Sequence, residues 1–414
     1  MTPQRERPQK NWIDVVPESW PKVRNKELLF EVVDVSQDGT EELLSVSHLT
    51  GITPKSEKRV TMIEAESLEG YRLVEPGDLV INMMWAWMGA LGVSRFKGIV
   101  SPAYSVYRPR PGSEVDTRYF DYLYRSDAYV AEMTRHSRGI HSSRLRIYPN
   151  VFLGLRVPKP FISEQRAIAD YLDHETARID TLIAEQRRLI EMLRERRQAQ
   201  IDTAIFEASA KTVHLRRLIE FLTSGSRGWG DYYADAGERF LRIGNLPRTD
   251  LAVRGEVQYV DLPPSVTEGE RTRLAAGDVL FSITAYLGSV AVAEGDWVGG
   301  YVSQHVALCR VDTRRMLPRF LGWAMLSTSG QNQLRQGAEG GTKQQLALDD
   351  IRDLQVPLPS LAEQQRVAKY LDERTAKIDT LISETETFID LARERRSALI
   401  TAAVTGQIDV REVA

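Results

Sequence analysis

The sequence predicts an α+β protein built from two β-rich mixed domains, each followed by one long helix, in a pseudo-twofold internal repeat. Three observations predict it. The segment VPKPFISEQRAIADYLDHETARIDTLIAEQRRLIEMLRERRQAQIDTAI, from Val157 to Ile205, aligns without a gap to VPLPSLAEQQRVAKYLDERTAKIDTLISETETFIDLARERRSALITAAV, from Val356 to Val404. Roughly half of the aligned positions are identical, which marks a duplicated unit too long for a solenoid repeat. Within both copies apolar residues recur at helical and heptad-like spacing. The regions ahead of them instead carry short β-type runs separated by Gly, Pro, Asp and Asn.

Taken from the N-terminus, MTPQRERPQKNW is polar and has no apolar core of the kind a secretory leader needs. The first globular region then shows Leu44-Ser-Val-Ser-His-Leu49 and Pro76-Gly77-Asp78-Leu79-Val80-Ile81, which correspond to Leu241-Arg-Ile-Gly-Asn-Leu246 and Ala276-Gly277-Asp278-Val279-Leu280-Phe281 in the second. Each Gly-Asp pair is a turn entering a buried strand. Helical patterns over Tyr119–Tyr129 and Phe320–Gly330 close the two regions. Val-Pro-x-Pro then removes backbone donors and stops whatever precedes it.

A helix starts after each Val-Pro-x-Pro. Ser163 is the expected N-cap of the first, whereas Ser360 and Glu363 have capping-box spacing in the second. The expected apolar stripes are Ile168, Leu172, Ile179, Leu182, Ile183, Leu189, Ile190 and Leu193, mirrored by Val367, Leu371, Ile378, Leu381, Ile382, Phe388 and Ile389. Each helix should run for about 40 residues, on the order of 60 Å. Gly406 suits the position just past the second helix. Rods with one apolar stripe need a partner. The nearest is the other copy, parallel or antiparallel; pairing between two molecules is the alternative.

Composition limits the function classes. The 414 residues carry a net charge of −3 and one cysteine, so neither a chain basic throughout nor a disulfide or thiolate-rich zinc framework is expected. Cys309, within VALCRV, is expected in a core strand. No apolar run approaches a membrane span, and the cytoplasm is the expected location. A search for catalysis finds no GxxxxGK[ST] phosphate loop, no GxSxG elbow and no His-x-x-x-His ligand spacing. Asp261-Leu262-Pro263-Pro264 is a poor likeness of an Asn/Asp-Pro-Pro-aromatic loop, with an inserted leucine and Ser265 in place of the aromatic. No enzyme and no metal site are expected.

The Pro-x-Pro opening, EQ, YLD, IDTLI and RERR of each copy, with LITAAVTGQIDVR from Leu399 to Arg411, resemble the helical regions of specificity subunits of type I restriction-modification systems. The resemblance spans the whole chain. It implies target recognition domains at 1–156 and 208–355, and helical spacer regions at 157–207 and 356–414 paired as an antiparallel coiled coil. It further implies a non-catalytic subunit, one copy per complex, that reads a bipartite asymmetric sequence in double-stranded DNA. Two methyltransferase subunits would dock on the helices and use S-adenosylmethionine; restriction subunits would use ATP and Mg. The rival reading is a coiled-coil scaffold whose globular domains bind ligands other than DNA.

Under the DNA reading, the candidate contacts of the first domain lie in RHSRGIHSSRLR: Arg135, Arg138, His141, Ser143, Arg144 and Arg146. Arginines there suit phosphates and guanine edges, and Met133–Ser163 holds no Asp or Glu. Trp85 and Trp87, in a strand-like alternation that sends Met84 to the other face, are candidates against a core role. The second domain offers Arg227 and Trp229 in a Gly-rich stretch, Tyr286, Gln304, Arg335 and Lys343. For helix pairing or partner docking the candidates are Leu172, Ile179, Leu182, Ile183, Leu371, Ile378, Leu381 and Ile382.

Overall fold

The computed structural model describes residues 12–57, 67–139, 145–208, 211–264, 266–336 and 345–411. Runs rich in Val, Ile, Leu and Tyr between turn residues become short strands. In chain order the first elements are β1 (Lys22–Arg24), the helix α1 (Asn25–Leu28), β2 (Leu29–Val32), β3 (Leu44–Ser47), β4 (Gly51–Pro54), β5 (Arg72–Val74), β6 (Leu79–Asn82), β7 (Leu91–Val93), β8 (Gly98–Val100) and β9 (Tyr104–Pro109). Then come α2 (Thr117–Arg125), α3 (Asp127–His136), α4 (Pro149–Gly154), β10 (Arg156–Pro158) and the long α5 (Ile162–Glu207).

The chain then repeats itself. It forms β11 (Thr212–His214), β12 (Ile219–Ser224), β13 (Tyr233–Ala234), β14 (Glu238–Leu241), β15 (Gln258–Val260), β16 (Val279–Ser282), β17 (Val290–Val292), β18 (Tyr301–Val302) and β19 (Val306–Val311). It closes with α6 (Pro318–Leu326), α7 (Thr328–Gln336), α8 (Leu348–Asp353), β20 (Gln355–Pro357) and α9 (Leu361–Val404). Among the described residues no helix is long and apolar enough to cross a membrane.

Packing groups these elements into two units that cut across both long helices. The first unit takes the residues up to Gln186 and those from Thr387 onward; the second is Arg187–Glu386. In the first, β2-β9-β6-β7 form an antiparallel sheet, while β1 pairs with β10. The second unit repeats both features as β12-β19-β16-β17 and β11-β20, and adds the sheet β13-β15-β14-β18. The first core gathers Leu79, Ile81, Tyr107, Tyr124 and Phe152 against Leu172 of α5 and Ala403 of α9. The second gathers Phe281, Cys309, Phe320 and Trp323 against Ile201 of α5 and Leu371 of α9. Burying a leucine such as Leu172 contributes about 2 kcal/mol.

Motif residues shared by the two copies anchor each long helix. Buried Gln165 accepts from Asp116 N at 2.8 Å and donates to Pro160 O at 2.8 Å and Glu114 O at 3.1 Å. Gln364 does the same with Leu317 N (2.7 Å), Arg315 O (2.9 Å) and Pro359 O (3.0 Å). The YLD aspartates hold the first helix of each helical pair. Asp173 accepts from Arg118 at 3.0 Å and the Tyr122 hydroxyl at 2.8 Å. Asp372 accepts from Arg319 at 2.7 Å and the Trp323 indole at 2.8 Å.

Several expectations about helix ends need correction. Helix α5 begins at Ile162, with Phe161 O accepting from Glu164 N and Gln165 N, so Ser163 sits inside the first turn rather than at the cap. Ser360 does cap α9 by accepting from Glu363 N, but the Glu363 carboxylate turns to Arg366 instead of closing the box. The expected helices over Tyr119–Tyr129 and Phe320–Gly330 are each two helices. Ser126 and Ser327 break them, because each hydroxyl both closes the preceding turn and caps the next helix. Gly406, in left-handed conformation, ends α9 as expected, with Gln407 N bonding back to Ala402 O at 2.8 Å.

Cys309 lies in the core of β19 as expected, and burial pushes its thiol up to about 12. Only the thiolate is nucleophilic, so iodoacetamide at about pH 8 should leave the native chain unlabelled and label it after unfolding. Labelling of the folded protein at the rate of a free thiol would refute this.

Candidate nucleic-acid interface

In the first unit the exposed surface is aimed by a buried ion pair. Gly77 adopts φ +95° and brings Asp78 to the start of β6, where its carboxylate is almost wholly buried. Arg108 of β9 grips both oxygens, at 2.8 and 2.7 Å, and Glu75 N donates to one of them at 2.9 Å. A paired, fully hydrogen-bonded buried charge holds one strand register. Strand β6 therefore delivers the chain to a defined exit at Asn82. There Met84 N donates to Asn82 Oδ1 at 3.2 Å and Trp85 N to Asn82 O at 3.0 Å.

The chain turns at that exit, which overturns the expected strand over Asn82–Trp87. A single 3-10 turn over Ala86–Met88 follows, and Trp87 donates its indole N–H to Met84 O at 3.0 Å. Trp85 and Trp87 still come together, stacked with centroids 6.5 Å apart, but Trp85 is 49% exposed and Met84 stands outside with it. Arg146 reaches Met84 Sδ at 3.6 Å. Arg138 and Arg146 exchange both backbone hydrogen bonds at 2.9 Å, which keeps the two arginines together. His141, Ser143 and Arg144 lie outside the described residues. Arg138 and Arg146 are exposed, whereas Arg135 is tied to Glu132 at 2.7 Å, with His136 on the same carboxylate at 3.1 Å. The charge of Arg135 is thus answered by an acid just ahead of the acid-free run, on the preceding turn of α3.

The second unit repeats the frame and changes the tip. Gly277 (φ +85°) precedes Asp278, which Arg310 grips at 2.8 Å to each oxygen while Ala275 N donates at 2.7 Å. Past β16, Tyr286 takes a left-handed φ of +61° and is 54% exposed. The Arg248 guanidinium lies over that ring at 4.5 Å. Beside them Gln304 Nε2 donates to His305 Nε2 at 3.0 Å, which leaves His305 Nδ1 to donate to Thr284 Oγ1 at 3.2 Å. Arg227, after the tightly packed Gly225, and Arg335, in the last turn of α7, are exposed. Lys343 lies outside the described residues.

Trp229 is a correction. It is 3% exposed and packs against Phe240, Val260 and Tyr301, so it is a core residue that the glycines around it only frame. Arg248 was missed. It lies in NLPRTD, a loop with no periodicity, and only the fold brings it to Tyr286.

On the long helices the buried seam follows steps of three and four: Leu172, Thr176, Ile179, Ile183 and Ile190 on α5, and Leu371, Thr375, Ile378, Thr385 and Ile389 on α9. Ile382 is half-buried within that seam. Leu381 is 49% exposed and Leu182 only half-buried, one position off the seam, so neither belongs to it. Leu189 and Phe388, also expected there, are likewise exposed. Threonines take the missing places by returning their hydroxyl protons to the carbonyl four residues back, as Thr176 does to Leu172 O at 2.6 Å and Thr375 to Leu371 O at 2.7 Å.

Within each unit the two helices run antiparallel, and repeated motifs face each other. In the second, Arg197 of RERR meets Asp379 of IDTLI at 2.8 Å. In the first, Arg396 Nε lies 3.0 Å from Asp180.

Residues 265–387 match the family described as the type I restriction modification DNA specificity domain. The chain is 22% identical over 362 residues to the EcoKI type I restriction enzyme specificity subunit of Escherichia coli (strain K12), covering 81% of this chain and 75% of that protein. It is 20% identical over 357 residues to the StySPI specificity subunit of Salmonella potsdam, with the same coverage. A solved structure from work on complex assembly and conformational transition of the type I R-M system shares the fold. It matches with a TM-score of 0.69 at 16% identity, over 95% of this chain and 99% of that one.

Proposed function

We propose, for a chain that belongs to the specificity subunits of type I restriction-modification systems, that each unit reads one half of a bipartite, asymmetric DNA sequence. One observation carries this: the frames are the same and the tips differ. Asp78–Arg108 and Asp278–Arg310 hold equivalent strands in equivalent registers. At their ends one unit presents Trp85, Met84, Arg138 and Arg146, and the other presents Tyr286, Arg248, His305 and Gln304. Like frames would place both tips against a groove in the same manner, and unlike side chains would select different bases.

The chemistry belongs to partners. Methyltransferase subunits using S-adenosylmethionine would modify adenine, and restriction subunits would cleave with ATP and Mg. A target adenine must leave the stack to be methylated, which is the methyltransferase's task. The off-seam side chains suit partner docking: Leu381, Leu189 and Met192 in the second unit, and Phe388 and Leu391 in the first, are exposed and apolar.

The test pairs methylation mapping with binding. Adenine-methylation sequencing of the host genome should return a two-part asymmetric motif. On a duplex carrying it, Arg138→Ala should weaken binding about tenfold, the scale of one lost base contact. The loss should vanish when the first half-site is scrambled, and the variant should still co-purify with methyltransferase. Loss of co-purification would instead make this arginine part of a protein interface.

A further inference from the structure

The two units share a feature beyond their frames: each ends its central strand in a large, exposed and immobilised aromatic ring. Trp85 stands three residues past β6 and Tyr286 four past β16. Neither position is a loose loop tip. Around Trp85 the backbone closes on itself, with Met88 N donating to Trp85 O at 3.0 Å and Ala90 N at 3.1 Å, and Trp87 backs the ring. Around Tyr286 the carbonyl accepts from Ser282 Oγ at 2.6 Å and from Ser289 N at 3.1 Å, and Arg248 backs the ring.

The second case carries a cost. A left-handed φ at a non-glycine residue strains the backbone, and a half-exposed ring gives up burial that the core would have supplied. Gly288, two residues on, is left-handed as well, so a turn with glycine at the tip was within reach. The tyrosine is held against its own preference, with a cation over its ring and about half of the residue exposed. An exposed planar ring fixed in direction and flanked by arginine fits one ligand class, the face of a nucleobase.

We infer that Tyr286 and Trp85 are stacking residues, each inserting its ring against an unstacked base step in the half-site its unit reads. This rests on the DNA reading above and adds how the contact is made: by ring stacking at a distorted step rather than by hydrogen bonds alone. Arg248 is a positioning residue that holds the Tyr286 ring and supplies charge beside the phosphates.

The test uses the chain in complex with its methyltransferase partner and duplexes carrying the mapped motif, with 2-aminopurine placed at successive positions. Besides the adenine that the methyltransferase flips, wild-type protein should change the probe's fluorescence at one further step in each half-site. Tyr286→Ala should abolish the change in the second half-site only and weaken binding about tenfold, the scale of one lost base–aromatic contact. Tyr286→Phe should keep both, and Trp85→Ala should act on the first half-site only. Tyr286→Gly separates this from a structural role, because glycine accepts the left-handed φ. Its melting temperature should stay level or rise while affinity falls as in the alanine variant. Normal affinity and an unchanged probe signal in Tyr286→Ala would overturn the proposal and leave the DNA reading standing. A wild-type complex that does not distinguish the mapped duplex from a scrambled one would sink both.

Discussion

Arg310→Met is expected to destabilise the second unit by about 3 kcal/mol, the scale for removing one partner of a buried ion pair. Asp278 is fully buried, and without the guanidinium only Ala275 N would remain to satisfy its carboxylate. The penalty comes from the stranded charge rather than from the lost attraction. Asp278→Asn in the Arg310→Met background should therefore recover part of the stability: the neutral amide still accepts from Ala275 N, but its own N–H groups are left without an acceptor. Unit-resolved hydrogen exchange is the suitable measurement, because a chain with two units need not unfold in one step. The β16 and β19 amides should lose protection in the single variant and regain part of it in the double one, while those of β6 and β9 stay unchanged. Equal losses in both variants would show that the strand register does not depend on this charge. Arg108→Met should produce the same pattern in the first unit, with β6 and β9 affected.

The consequence for function lies in the tips. On the proposed DNA reading, a relaxed register at β16 would displace Tyr286, four residues past the strand, and specificity for one half-site would degrade before the chain unfolds. The same reading links the shared frame to the unlike surfaces: the buried pair recurs in both units, and either tip would be only as well aimed as its strand.

Most of the architecture was legible because duplication turns one sequence into a two-member alignment. The Gly-Asp turns, both long helices and their pairing followed from residues that recur in both copies. What misled was the use of hydrophobicity alone to choose the helix seam. Leu381 and Phe388 are more apolar than Thr375 and Thr385, yet the threonines are inside, since a hydroxyl bonded to its own helix can enter a seam at little cost. The tips were less legible. Alternation in NMMWAW matches a strand, but the hydrogen bonds from Met84 and Trp85 to Asn82 end it, and those depend on a local turn rather than on periodicity. Trp229 and Arg248 show the two directions of error: a tryptophan among glycines was buried by a sheet the sequence did not announce, and an arginine in a featureless loop was carried to an aromatic ring distant in sequence.

Gln364→Leu should be at least as damaging as losing the ion pair, although it removes no charge. The glutamine is fully buried, and its amide meets three backbone groups: the N–H of Leu317 and the carbonyls of Arg315 and Pro359. Leucine fills nearly the same space and satisfies none of them. At about 1–3 kcal/mol for each group left unpaired away from water, the expected loss is about 3 kcal/mol or more. It should concentrate where the strand β20 gives way to α9 and where the 312–317 turn enters α6. Gln165→Leu should do the same at the start of α5, through Asp116 N, Glu114 O and Pro160 O. Because these amides clamp each globular part to the first turn of its long helix, the variants should loosen that junction while leaving the helix itself formed. Hydrogen exchange should show early release of the 312–317 amides in Gln364→Leu and retained protection along the seam from Leu371 to Thr385. Seam amides released together with the turn would mean that the helix depends on the junction. A variant with wild-type protection at the turn would mean that water, rather than glutamine, can satisfy those three groups.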